Sequence, residues 1–174
     1  MVPLTPPEDE DRELGKQLLP LLLDLNSKLV VVFGGGRVGE RKARLFSDYA
    51  HVRVVAQDFA PKLKEMKEDL ERVHSDISSG VERYLDGAFL VIPATSDSEL
   101  NRAIEQEARR RGILVNRVEG RGDVVVPSLI RKGPIAIAIA TESPGLSKYL
   151  RLRLEKELTE NYQEMARLLG QIIR

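Results

Sequence analysis

Cysteine and tryptophan are absent from the 174 residues, and histidine occurs only as His51 and His74. Without cysteine there are no disulfides, thiolate metal centres, iron–sulfur clusters or cysteine nucleophiles, and two imidazoles are too few for a histidine-rich site, so no resident metal is expected. Net charge is also missing, with 27 Lys and Arg against 27 Asp and Glu. No apolar run approaches the ~20 residues of a membrane span. Near the start, Glu8, Asp9, Glu10 and Asp11 stand where a secretory signal needs basic residues and then an apolar stretch. A cytoplasmic protein with no membrane association is expected. Its chemistry must rest on carboxylates, Arg and Lys, hydroxyls or a borrowed cofactor.

What is present is alternation. Residues 1–17, with Pro3, Pro6 and Pro7, read as a leader, and Leu18 to Leu25, interrupted by Pro20 and Asp24, as an irregular cover on the domain that follows. Leu29 to Phe33 (LVVVF) suits a strand buried on both faces. Further strands are expected at Val52 to Ala56, Val73 to Ser75, Phe89 to Ile92 and Ile113 to Val115. Helices fall between them, from Val38 to Tyr49, from Pro61 through Leu70, and after a capping box of Ser96 and Glu99 as far as Gly112. The fold class that results is α/β, a Rossmann-like doubly wound parallel sheet over residues 18–116.

The rest of the chain breaks this rhythm. Residues 117–144 hold strand-like pieces at Val124 to Val126, Ser128 to Arg131 and Ile135 to Thr141, and residues 145–174 read as one helical segment. In Ile135 to Ala140 (IAIAIA) the isoleucines share one face and the alanines the other, because strand side chains alternate. A remainder of roughly 60 residues makes a poor core by itself. It is therefore expected to be a small β dimerisation region and helical segment packed on a second copy, making a homodimer, the alternative being that it folds back onto its own sheet.

Gly34, Gly35, Gly36, Arg37, Val38 and Gly39 fit GxGxxG between the first strand and a helix, where backbone N–H groups can approach a pyrophosphate. Asp58, 22 residues beyond Gly36, stands near the position of a ribose-binding carboxylate, although it could instead cap the helix at Pro61. No arginine adjoins Asp58, which favours NAD over NADP, while Lys62 and Lys64 leave the second open. Thr95 follows the fourth strand and could touch the cofactor or cap the next helix. Val115 to Glu119 (VNRVE) would aim Asn116 and Glu119 toward the nicotinamide side, where a carboxylate can accept a proton as hydride departs, although glutamates at strand ends are more often only solvated.

These blocks, with Leu19 to Leu25 (LPLLLDL), Val31 to Lys42 (VVFGGGRVGERK), Val91 to Asn101 (VIPATSDSELN), Pro127 and Ser128, and Ile137 to Leu150 (IAIATESPGLSKYL), closely resemble the precorrin-2 dehydrogenase family, the NAD-dependent module of siroheme synthase. The resemblance implies oxidation of precorrin-2 to sirohydrochlorin and, in some members, insertion of ferrous iron as a second substrate. It also implies an interlocked dimerisation region and a small helical domain. It puts cofactor contacts on Arg37, Val38, Gln57 and Asp58, and sets the family's key aspartate on Glu119, one methylene longer. Glu142 alone separates Thr141 from Ser143 where the family has a longer glycine-rich stretch, which weakens the implication of iron insertion.

From Arg109 to Arg153 ten basic residues face three acidic ones. Such an excess suits a polycarboxylate like precorrin-2, and Arg117, Arg121, Arg131, Lys132 and Lys148, with Asn116 and Ser128 from the shared blocks, are the expected substrate-binding residues. Two other classes compete. A dimeric NAD-sensing module without turnover, like the regulatory domains of potassium transport systems, would share the glycine loop but need neither VNRVE nor the basic block. Nucleic acid is not an expected partner, because Tyr149 is the block's one aromatic stacking surface.

Overall fold

A computed structural model describes residues 18–66, 70–77 and 80–172; the expected leader, 1–17, lies outside the described residues. Five strands, β1 (Leu29–Phe33), β2 (His51–Ala56), β3 (Leu70–His74), β4 (Ala88–Pro93) and β5 (Leu114–Val115), form one parallel sheet in the order β3-β2-β1-β4-β5. Helices α1 (Arg37–Ser47), α2 (Pro61–Glu65) and α3 (Ser98–Arg110) lie between them in sequence. Because successive strands are added on opposite sides of β1, the loops leaving β1 and β4 diverge at their carboxyl ends and open a crevice there.

Both faces of the sheet are buried. Val30, Val32, Val52 and Val54 pack with Ala43 and Phe46 of α1 and Leu63 of α2, while Val31, Phe33, Val55 and Val91 pack with Ile104 and Ala108 of α3. This two-sided burial is why LVVVF is continuously apolar rather than alternating. Val124 and Val126 pack on the first face as an extended segment, and the strand expected there does not form. Val124 N–H donates to Val115 O at 3.1 Å, one contact rather than a ladder.

Two other expectations shift. The helix expected from Pro61 through Leu70 stops at Glu65, and Leu70 opens β3, paired with Val52. Five register pairs with β2, an Arg53–Glu71 ion pair at 2.8 Å and burial of Leu70 outweigh the helical spacing that Leu70 also satisfies. The expected capping box of Ser96 and Glu99 gives way to Asp97, whose side chain accepts from the N–H groups of Glu99 and Leu100 at 2.9 and 3.1 Å. A carboxylate one residue nearer the helix is the stronger acceptor for the positive end of α3.

Beyond the sheet, β6 (Ser128–Lys132) and β7 (Ile135–Ile139) form an antiparallel hairpin turned at Gly133, whose φ is +57°. The helical segment is two helices, α4 (Pro144–Glu157) and α5 (Glu160–Ile172). α4 covers the hairpin face that carries Ile130 and Lys132, and the alanines of β7 stay exposed on the other. Leu146, Tyr149, Leu152 and Leu154 of α4 and Tyr162, Met165, Leu168 and Leu169 of α5 are also exposed. The expected cover at residues 18–25 is irregular, but only Leu25 packs on the core; Leu22 is 86% exposed.

One of the tightest contacts in the domain is backbone on backbone. A Cβ on Gly39 would stand 1.9 Å from Gly34 O. In Gly39→Ala the gain in helix propensity, ~1 kcal/mol, is outweighed by forcing α1 away from β1, an overpacking cost of up to about 3 kcal/mol or more. Urea denaturation should give a lower midpoint than the parent; an equal or higher one would refute the close packing.

Candidate functional site

Two clefts meet where β1 and β4 end. The first, about 680 Å³, is lined by Gly34 to Val38, by Ala56 at the end of β2 with Gln57 and Asp58 beyond it, by Asp76 and Ile77 after β3, and by Ala94 to Asp97 after β4. The second, about 310 Å³, lies between α3, through Ser98, Asn101, Arg102 and Glu105, and the segment Arg117–Glu119. Val38, Ala94, Thr95 and Ser96 line both. A long ligand in the first cleft can therefore present one end to the second.

The three loop glycines have different reasons. Gly34 has φ +114°, and a Cβ there would stand 2.3 Å from Ala94 O; on Gly35 it would stand 1.9 Å from Asp58 O. Both are demanded by the fold. Gly36 has φ −77°, which any residue adopts, and a Cβ on it would meet nothing within 4 Å. As the N-cap of α1 it provides no side chain to bond the first turn, so that turn's N–H groups are left to the cleft's contents. Open space over uncapped amides at a helix start fits the pyrophosphate of a dinucleotide. Among the described residues Arg37 is the one cation lining this cleft.

Asp58 is exposed on the cleft wall, and α2 is capped by Ala60, so Asp58 does not serve as that helix's cap. Gln57 is exposed beside it. Lys62 and Lys64 are not among the residues that line this cleft. Thr95 is engaged by its own loop and the first turn of α3: Oγ1 is within donating distance of Asn101 Oδ1 at 2.8 Å and Asp97 O at 3.0 Å, and Asp97 N–H donates to it at 3.2 Å. Its hydroxyl shapes the wall between the clefts more directly than it offers a free donor.

In the second cleft Glu119 is exposed and has no hydrogen bond or ion pair among the described residues. Arg117 Nε donates to Glu105 Oε1 at 3.0 Å. The apolar pattern of α3 does not point to its cleft-lining residues; Ser98, Asn101, Arg102 and Glu105 recur at helical spacing on the opposite face, which is the sequence signal for them.

Other expected substrate residues are placed elsewhere. Asn116 faces neither cleft: it is 3% exposed, donates from Nδ2 to Val124 O at 2.7 Å and accepts from Lys42 Nζ at 2.6 Å. Burial, and secondarily the charge of Arg41, hold the Lys42 pKa below its ordinary value. Lys132 Nζ donates to Glu155 O and Leu158 O at 2.7 and 2.8 Å, capping the end of α4. Arg131 lies over the Tyr49 ring, 5.0 Å from its centroid, at the far end of α1, roughly 20 Å from Gly36 at 1.5 Å per residue. Ser128 and Lys148 line neither cleft, and Arg121 sits on the loop beyond Glu119. The basic block thus does not converge within one chain, and Arg109, Arg110, Arg111 and Arg151 are ion-paired. Among the described residues no group of three or more His, Asp or Glu could hold a metal ion, and no helix is long and apolar enough to cross a membrane.

Among known proteins, the family described as "Putative NAD(P)-binding" matches residues 21–128. The precorrin-2 dehydrogenase of Methanosarcina barkeri is 44% identical over 158 residues, covering 86% of this chain and 70% of the relative. Siroheme synthase 1 of Yersinia enterocolitica is 37% identical over 157 residues, covering 87% of this chain, which spans only 33% of that relative's length. The solved structure of SirC, precorrin-2 dehydrogenase, superposes with a TM-score of 0.71 at 26% identity, covering 88% of this chain and 78% of that one.

Gly36→Asp should leave the unfolding midpoint close to the parent's, since the backbone is unstrained and space is open, while abolishing dinucleotide binding by titration calorimetry, because a carboxylate would occupy the pyrophosphate's place. Affinity within about threefold of the parent would remove Gly36 from the site.

Proposed function

The chain belongs to the precorrin-2 dehydrogenase family, and from that premise we propose that it oxidises precorrin-2 to sirohydrochlorin with NAD on the route to siroheme. The supporting observation is the pair of joined clefts, one with an uncapped glycine-lined helix start and the other with Arg117 and an unengaged Glu119, sharing the wall of Val38 and Ala94 to Ser96. NAD, when bound, supplies the hydride acceptor. The amides opening α1, with Arg37, hold the pyrophosphate, and Gln57 and Asp58 hold the adenosine ribose. Asp58 and Asp76 on one wall disfavour a 2′-phosphate, which selects NAD over NADP.

Precorrin-2 loses a hydride and a proton in this reaction. Glu119 takes the proton on its carboxylate, and Arg117 and Arg102 hold substrate carboxylates by charge-assisted hydrogen bonds. The shared wall holds the two reactants together, which itself removes much of the barrier. An NAD sensor would need no second cleft with these side chains, and that alternative is set aside. The bare alanine face of β7 and the exposed apolar residues of α4 and α5 suit a two-fold partner, so the working form is a homodimer in the cytoplasm. Arg121 and Lys148, exposed and basic, remain candidates for the substrate's outer carboxylates. Ferrous iron would be a further substrate rather than a resident metal.

Anaerobic incubation with precorrin-2 and NAD should raise NADH absorbance; none above a protein-free control would overturn the assignment. Glu119→Gln should lower kcat by at least ~10² with NAD affinity nearly unchanged, as loss of a positioned base does. Turnover within a few-fold would leave proton loss to water or to a substrate carboxylate. Light scattering should return twice the mass of one chain, and a concentration-independent monomer would refute the dimer.

A further inference from the structure

Between Val115 and Val124 the chain leaves the sheet and returns, carrying Arg117, Glu119 and Arg121 on a loop whose neck is closed by named contacts. Val124 N–H donates to Val115 O at 3.1 Å, Val115 N–H to Asp123 Oδ2 at 3.1 Å, and Asn116 Nδ2 to Val124 O at 2.7 Å. At the neck a Cβ on Gly122 would stand 2.5 Å from Val115 O, so the two strands of the loop touch. Asn116 is the centre of this arrangement. Its N–H donates to Val91 O at 2.9 Å, its amide nitrogen to Val124 O, and its remaining acceptor, Oδ1, takes Lys42 Nζ at 2.6 Å.

Lys42 belongs to α1, the helix whose first turn faces the larger cleft. Its half-buried stem crosses the first face of the sheet to reach Asn116. Arg117, on the other side of Asn116, is tied instead to Glu105 of α3, on the second face. The loop is thus held from both faces of the sheet. The α3 tie is partly exposed, and so is the Arg109–Asp123 pair at 3.7 Å; such pairs are worth little. The Lys42 bond ends on the buried amide oxygen of Asn116, which has no other partner among the described residues, and losing it would leave Oδ1 unpaired. Burial lowers the Lys42 pKa, which is the expected cost of placing an ammonium there.

We propose that Lys42 is a positioning residue for the dehydrogenation: through Asn116 it locks the neck of the 116–124 loop to the cofactor-facing helix, and so holds Arg117 and Glu119 in register with the larger cleft. This rests on the function proposed above for what it positions, but the lock itself can be tested without it. In Lys42→Met, which keeps the apolar stem, hydrogen exchange on the ligand-free protein should show protection at the Val124 amide falling at least about tenfold, with the amides of β1 unchanged. NAD affinity should stay within about threefold of the parent while kcat/KM for precorrin-2 falls about tenfold or more. In a Glu119→Gln background the same substitution should have a much smaller further effect, a non-additivity that a general loss of stability would not produce. Lys42→Arg, which keeps a donor that can reach Asn116, should restore both readouts. If methionine compromises the fold, Lys42→Gln, too short to span to Oδ1, carries the same expectations. Unchanged exchange at Val124 would overturn the lock. A loosened neck with undiminished kcat/KM, or full additivity with Glu119→Gln, would overturn its positioning role. Absence of any turnover in the parent would count against the function and leave the exchange result to decide the lock.

Discussion

Everything at this site depends on how closely the backbone leaving β1 approaches its neighbours. Gly34 against Ala94 O, Gly35 against Asp58 O and Gly39 against Gly34 O bring the ends of β1 and β4, the β2 loop and the start of α1 within van der Waals contact, with no side chain between them. That contact sets α1 at the angle from which its uncapped first turn faces the crevice. It also makes Gly36 distinct: it is a glycine the fold does not require, and the space above it is open.

The two faces of the sheet then divide the labour. Side chains alternate across a strand, so the residues after β5 point in turn to opposite faces: Asn116 toward α1 and Lys42, Arg117 toward α3 and Glu105. One short segment is thereby held by both layers while its tip, with Glu119, remains exposed at the smaller cleft. The return of this same loop packs Val124 and Val126 on the first face, which couples the loop's neck to the core.

Outside the Rossmann-like domain much apolar surface is exposed. The hairpin has one face covered by α4 and one bare, and both C-terminal helices expose apolar side chains that no described residue covers. Lys132 and Arg131, which by charge alone belong with the substrate, are used to close the end of α4 and to cover Tyr49. A count of charge along the chain has no way to register such local uses, because a helix's terminal carbonyls and an aromatic face compete for cations as an anionic ligand does.

The sequence by itself determined the alternation of strand and helix, the parallel sheet, the glycine loop at its switch point and the neighbourhood of Asp58, Arg117 and Glu119. These follow from local patterns: runs apolar on both faces, glycines where a strand turns into a helix, and spacing along one polypeptide. Only the tertiary structure decided where Leu70 belongs, since its spacing suits a helix and a strand equally until β2 offers a partner. It alone gave Asn116 to the loop neck, Lys132 to a helix end and the polar face of α3 to the second cleft. Each of those roles depends on a residue distant in sequence, such as Lys42, 74 positions from Asn116, and a chain read one position at a time carries no information on which distant group satisfies a buried polar atom.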